Sequence, residues 1–363
     1  MQKSVIIVGA GIIGAAVAYR LARAGAQVTV VDAGQAGATG ASFGWINASF
    51  FLHEDHYRLR VEGIAAWRRL EEDLQLPITW CGSLCWEEGR LETRQDALRA
   101  LGYDAALIDT KTFARMEPHV GTPPAQSLHF PQEGVAEPIA VAAAVLTAAQ
   151  EAGAQVVRGV EVTGFERQGL RVVGVQTGAG VLRSDQVLLA AGVGCKRLMA
   201  MLDHDLPMLH RPALVIKTAP VARVLNHILV SDIGEVRQLP CGALVMPVAP
   251  GHQGDDSDSV GNMEAEAQSA LTRLQALVPQ VELRLAETML AERPMPGDGL
   301  PAVGPVAEGA YLTVMHSGIT LAAVMGELVC DELLQGETNH SAAWLAPYRP
   351  GRFWGTQGTD HER

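Results

Sequence analysis

The chain has 363 residues, 48% of them hydrophobic, and a formal net charge of -12. That is enough apolar material for a sizeable core and two structural domains, and the acidic balance argues against nucleic-acid binding, which needs a basic face. The five cysteines (Cys81, Cys85, Cys195, Cys241 and Cys330) are scattered and form no CxxC pair. Zinc is therefore not expected, and free thiols in a reducing compartment are the simplest reading.

The first element is a βαβ unit over residues 5–32. An apolar strand, Val5-Ile6-Ile7-Val8, runs into Gly9-Ala10-Gly11-Ile12-Ile13-Gly14, then an apolar helical pattern, then a second strand ending on Asp32. Gly9 permits a tight turn, Gly11 lets a pyrophosphate approach the backbone, and Gly14 lets the helix pack on the strand. Free N–H groups and the dipole at the helix start favour negative charge. Asp32 stands where an acid hydrogen-bonds a ribose hydroxyl. The strand before, the helix after and the spaced acid make this a dinucleotide-binding reading rather than a structural glycine turn. Because the first strand begins at residue 5, no signal peptide is read. The apolar run 139–149 is too short to span a bilayer. A soluble cytoplasmic protein is expected, with peripheral membrane contact left open.

Residues 33–42, from Ala33 onward, form a small-residue loop suited to running beside an extended ligand. Ser42-Phe43-Gly44-Trp45-Ile46-Asn47 reads either as a glycine loop with two core aromatics or as a wall of a ligand site. Residues 56–76 have helical periodicity, and His53 and His56 before and within it read as cap or surface histidines rather than catalysts. Strand 79–87 and helices 90–101 and 110–116 follow. An apolar helix over 139–152 leads to strands at 155–157 and 160–165, a hairpin at 170–177 and 181–184, and a buried strand at 186–189 ending Ala190-Ala191-Gly192. This order is expected to extend the first sheet. Residues 207–250 are strand-rich, with candidates at 213–218, 228–232 and 243–247. Residues 251–261 form a polar acidic loop, 263–278 an amphipathic helix, 287–292 and 311–315 strands. His316-Ser317-Gly318 is a turn opening a helix over 319–334, and 349–363 reads as a loose tail.

Four blocks carry a resemblance: GAGIIG with Asp32; Gly40-Ala41-Ser42-Phe43-Gly44; residues 160–192 with their Leu188-Leu189-Ala190-Ala191-Gly192 ending; and Arg293-Pro294 with Asp298-Gly299-Leu300-Pro301 and Gly304, followed by His316-Ser317-Gly318-Ile319-Thr320. The chain resembles the D-amino-acid oxidase-like flavoproteins, in particular glycine oxidase, sarcosine oxidase and D-amino acid dehydrogenase. The resemblance implies an α/β fold with bound FAD. A discontinuous Rossmann-type FAD-binding domain would comprise residues 1–79, 131–207 and 291–363. A mostly antiparallel α+β substrate domain would comprise 80–130 and 208–290. It implies cofactor contact by Gly9, Gly11, Ile12, Ile13, Gly14, Asp32, Ala33, Ala41, Ser42, Phe43, Gly44, Val162 on the adenine side, Ala191, Gly192, Arg293, Ser317, Gly318, Ile319 and Thr320. The helix starting at Ile319 would face the flavin pyrimidine ring, where its positive end stabilises the charge of reduction. Sarcosine oxidase relatives carry a cysteine just before the Arg293 block; residues 282–304 hold none, so noncovalent FAD is expected.

Arg293 is the resemblance's candidate for pairing with a substrate carboxylate, for which a guanidinium fork is suited. The alternative is a structural salt bridge to Glu292, Asp298 or another acid. His316 is the second catalytic candidate, placed to touch substrate, tune the flavin or hold the turn. The implied reaction is oxidation of the Cα–N bond of a small carboxylate-bearing amine of glycine, N-alkyl glycine or D-amino acid type, with hydride transfer to flavin N5. Two rivals stay open: oxidation of a 2-hydroxy acid with His316 or His53 as base, and a flavin-bearing subunit of a multi-subunit amine oxidase. The electron acceptor, O2 or a quinone or electron-transfer partner, is open, as is oligomeric state. The four lysines, Lys3, Lys111, Lys196 and Lys217, offer no recognisable oxygen-activating position.

Overall fold

The computed structural model describes residues 2–35, 37–87, 89–249 and 259–354. A six-stranded sheet runs in the order Ala302–Ala307, Ala310–Val314, Gln186–Leu189, Ser4–Val8, Gln27–Asp32, Gln155–Arg158. Its strands are parallel apart from the outer Ala302–Ala307 strand, which pairs antiparallel. The first strand reads as an unbroken apolar run because both faces are covered. Val5 and Ile7 point into a core shared with the Ile12–Arg23, Pro138–Glu151 and Gly318–Gln335 helices. Ile6 and Val8 point the other way, into a core shared with Val162, Phe165, Val172 and Val175. Small residues let the helices on the first face pack closely: a Cβ on Gly326 would lie 3.0 Å from the Ala16 carbonyl oxygen.

A second sheet has eight strands, in the order Leu285–Glu292, Pro212–Thr218, Leu244–Pro247, Gly234–Gln238, Ile228–Ser231, Ser83–Cys85, Gln126–Phe130, Ala106–Asp109. All its pairs are antiparallel except Ile228–Ser231 with Ser83–Cys85. The Met263–Leu277 helix lays Ala267, Ala270, Leu271 and Leu274 on it.

Several elements differ from the sequence reading. The hairpin does not extend the first sheet. Val162–Gln168, Arg171–Thr177 and Gly180–Arg183 form their own antiparallel sheet, stacked over the parallel one. Alternating residues suit a stacked layer as well as a sheet edge, so the pattern alone does not choose. The strand read over 79–87 splits into Ile78–Thr79 and Ser83–Cys85, which join different sheets. Gly82 between them sits at φ +73, and the chain turns there. The Glu54–Asp73 helix starts before His56, and His53 caps it, its Nδ1 accepting from the His56 amide at 3.3 Å. The tail is not loose at Arg349. Residues 350–353 form a 3-10 turn, and Arg352 Nε pairs with Asp298 Oδ2 at 2.7 Å. Residues 355–363, and most of the acidic loop 251–261, lie outside the described residues.

Candidate active site

The glycine turn is built by close approach. Gly9 has φ +108, and a Cβ there would lie 2.5 Å from the Ala190 carbonyl oxygen on the neighbouring strand. A Cβ on Gly14 would lie 2.0 Å from the Gly9 carbonyl oxygen. These contacts hold strand, turn and helix together and leave the start of the Ile12–Arg23 helix open. Its N-cap is Gly11, with no capping side chain. The Gly318–Gln335 helix likewise starts without a side-chain cap, at Ser317.

Both helix starts face one cavity of about 540 Å³. Of the residues proposed from sequence, Gly9, Gly11, Ile12, Ile13, Asp32, Ala33, Ser42, Val162, Ala191, Gly192, His316, Gly318 and Ile319 line it. The others stand elsewhere. Gly14 lies under the turn. Ala41 is half-buried and off the wall. Phe43 is buried with the Arg237 guanidinium 5.7 Å from its ring. Gly44 packs against the Ala136 carbonyl. Thr320 is buried, its hydroxyl donating to the Trp45 carbonyl oxygen at 3.2 Å. Ser317 accepts from Arg60 behind the wall. Arg293 is half-buried between two residues that do line the cavity, Glu292 and Pro294. Its backbone N–H and Nε both donate to the Arg211 carbonyl oxygen, at 3.0 and 3.3 Å.

Sequence reasoning missed several wall residues. Thr39 Oγ1 accepts from the Ile12 amide at 3.2 Å, occupying one N–H of the first turn. Its signal was a hydroxyl among the small residues of the glycine loop. Arg197 and Glu161 pair at 2.7 Å on the side of Val162. Thr313 lines the cavity with its hydroxyl buried and unpartnered. Behind the wall lies Arg60, 3% exposed. Its signal was the spacing of Tyr57, Arg60, Ile64 and Trp67, which puts a guanidinium on the helix's buried stripe. Beside it, burial and then the charges of Arg60, His53 and His316 push His56 down from 6.5 to about 3, so that imidazole is neutral at physiological pH.

The arrangement fits an extended anionic dinucleotide. Two positive helix ends meet one cavity. Asp32 is fixed at its rim, Oδ2 accepting from the Ala10 amide and Oδ1 from the Gly34 amide, each at 2.8 Å. Carboxylate oxygens keep further acceptor capacity for ribose hydroxyls. The unpartnered Thr313 hydroxyl supplies a polar contact that a ligand would satisfy. Among the described residues no cluster of His, Cys, Asp and Glu could hold a metal ion, and no helix is long and apolar enough to cross a membrane.

Residues 4–332 match the family model of the FAD dependent oxidoreductases, DAO. The chain belongs to that family: it is an FAD-dependent oxidoreductase. Among its relatives is glycine oxidase of Pseudomonas aeruginosa, 28% identical over 375 residues, a match covering 96% of this chain and 99% of that protein. Hydrogen cyanide synthase subunit HcnC of the same organism is 30% identical over 253 residues, covering 68% of this chain but only 59% of that protein. Among solved structures, glycine oxidase from Geobacillus kaustophilus superposes with a TM-score of 0.85 at 23% identity, covering 97% of this chain and 99% of that one. L-proline dehydrogenase from P. horikoshii superposes at 0.84 and 21%, covering 97% and 98%. At such identities the two structures speak for the fold alone.

Proposed function

We propose that the chain oxidises the Cα–N bond of a small amino acid of glycine, N-alkyl glycine or D-amino acid type. The observation that carries this reading is the position of Arg293. It follows the last residue of the Leu285–Glu292 edge strand and precedes Pro294 on the cavity wall. It therefore stands where the eight-stranded sheet meets the nucleotide-binding cavity. The similarity to glycine oxidase along nearly the whole chain supports the same reading.

Bound FAD would supply the two-electron acceptor. The chain's own residues bind and orient. Arg293 pairs with the substrate carboxylate, and its bonds to the Arg211 carbonyl hold the arginine at the junction. His316 and Met315 line the same cavity. A neutral amine and a fixed carboxylate give the geometry that Cα–H cleavage needs, without a strong side-chain base. The imine product hydrolyses to a carbonyl compound plus ammonia or a smaller amine. Among the described residues none of the four lysines lines the cavity. The acceptor is O2, a quinone or an electron-transfer partner.

The test is anaerobic mixing of the yellow holoprotein with glycine, sarcosine, D-amino acids, proline isomers and 2-hydroxy acids, following the visible flavin band. Bleaching by an amine-bearing acid with ammonia or amine release is expected. Bleaching by 2-hydroxy acids alone would overturn the reading. Readmitted air then separates oxidase from dehydrogenase.

A further inference from the structure

Arg60 is a buried cation with no carboxylate bonded to it among the described residues. Its Nε donates to the Asn47 carbonyl oxygen at 3.1 Å, Nη2 donates to Asn47 Oδ1, and Nη1 donates to Ser317 Oγ. Burial lowers its pKa only to about 10, so it stays charged at neutral pH. Among the acids that act on its charge is Glu133, fully buried and bonded to Trp45 and Ser49 of the Trp45-Ile46-Asn47-Ala48-Ser49 segment; Glu235 acts in the same sense. Glu133 is held by neutral donors: Trp45 Nε1 at 3.0 Å, the Ser49 amide at 3.2 Å, Ser83 Oγ at 2.6 Å and Tyr103 Oη at 2.8 Å. Thr320 completes the frame. Its hydroxyl bonds the Trp45 carbonyl at 3.2 Å and the Asn47 amide at 3.3 Å.

The 45–49 segment is thus clamped between a buried cation and a buried anion, and bonded to the first turn of the Gly318–Gln335 helix. An apolar side chain at position 60 would fill the space without the cost of desolvating a charge. The charge is kept where one of its contacts reaches Ser317, in the turn that carries His316 and Gly318 to the cavity wall, and the other two reach Asn47, whose amide is bonded by Thr320 just beyond that turn.

We propose that Arg60 is a positioning residue for the flavin end of the cavity: through Ser317 and Asn47 it fixes the His316-Ser317-Gly318 turn, and it adds permanent positive charge behind the helix start. Both effects act on bound FAD. The fixed turn presents the N–H groups of the helix start in one geometry, which strengthens binding. The charge adds to the helix dipole and favours the reduced, more negative cofactor over the oxidised one. This rests on FAD binding alone and not on the substrate proposed above.

The test uses Arg60→Met, Arg60→Lys and Ser317→Ala, with two readouts: the midpoint potential of bound FAD, and the FAD dissociation constant of each apoprotein. Arg60→Met is expected to lower the potential and raise the dissociation constant. Arg60→Lys, which keeps the charge, should restore most of the potential. Ser317→Ala keeps the charge and frees the turn, so it should weaken FAD binding several-fold with little change in potential. A folded Arg60→Met variant that only melts earlier, with both readouts unchanged, overturns the proposal. Should Arg60→Met fail to fold, Ser317→Ala decides, and wild-type FAD affinity there overturns it.

Discussion

Arg349 Nη2 lies 2.6 Å from Glu332 Oε1, and Tyr311 Oη donates to the other oxygen of the same carboxylate. This pair, its carboxylate buried and its guanidinium half-buried, joins the last described segment to the helix that starts at the cavity and to the strand beside it. Burial opposes ionisation of Glu332, but bonds from Arg349, Ser341 and Tyr311 overcome it and hold the carboxyl below its ordinary 4.5. A carboxyl depressed in the fold contributes stability that is fully present above its unfolded value and is lost as pH falls through the folded one. Arg349→Met leaves that carboxylate buried without its cation. At neutral pH it should cost about 3–5 kcal/mol, and the gap to wild type should narrow below pH 4.5. Urea unfolding at pH 7 and near pH 4 checks both; a gap independent of pH would contradict the role assigned to Glu332.

Gly14→Ala should lose the cofactor. The added methyl would meet the Gly9 carbonyl oxygen at 2.0 Å, and neither strand nor helix can yield without deforming the turn. Overpacking of this kind costs about 1–3 kcal/mol or more, spent at the phosphate-binding turn. Gly25→Ala is the control: its φ of +83 strains a side chain, but no atom lies within 4 Å of its would-be Cβ and it stands away from the glycine turn. The ratio of visible to ultraviolet absorbance should fall in the first variant and hold in the second.

Arg293→Ala should purify yellow, because the residue stands off the cavity wall. Its carboxylate substrate should suffer. Losing one partner of a buried charge pair costs about 2–5 kcal/mol, a fall of roughly 30-fold or more in kcat/KM. Steady-state kinetics on the substrate identified by the anaerobic screen measures this. Unchanged kcat/KM would remove Arg293 from the site.

Acid precipitation should release all the flavin into the supernatant. None of the five cysteines lines the cavity, and Cys85, Cys195 and Cys330 are buried. Burial pushes the thiols of Cys195 and Cys330 up to about 12, so neither supplies a ready thiolate. Yellow colour in the pellet would show a covalent link.

The parts legible in the sequence were those whose causes are local. The glycine turn announces itself because Gly9, Gly11 and Gly14 stand at fixed spacing between a strand and a helix, Gly14 answers to the Gly9 carbonyl within the same βαβ unit, and Asp32 ends the next strand. The stacked three-stranded sheet was not legible, because the choice between sheet edge and second layer is made by distant partners such as Ile6 and Val8. Gly234–Gln238 was missed as a strand for a related reason. Its Arg237 looks like surface charge, yet it is buried and meets Glu137 at 2.5 Å across 100 residues of chain. Arg60 and Glu133 were hidden in the same way. Each reads as an ordinary polar residue until the fold buries it against partners far along the chain.

The cavity walls come from the glycine turn near the start of the chain and from His316, Gly318 and Ile319 near its end. The strand Ala310–Val314 must also slot beside Gln186–Leu189 before that last wall exists. A chain still on the ribosome can therefore form the first βαβ unit early, yet the cavity lacks its last wall until Ile319 has emerged. A chain cut short before that point would leave the ribosome with its glycine turn made and one wall of the cavity missing.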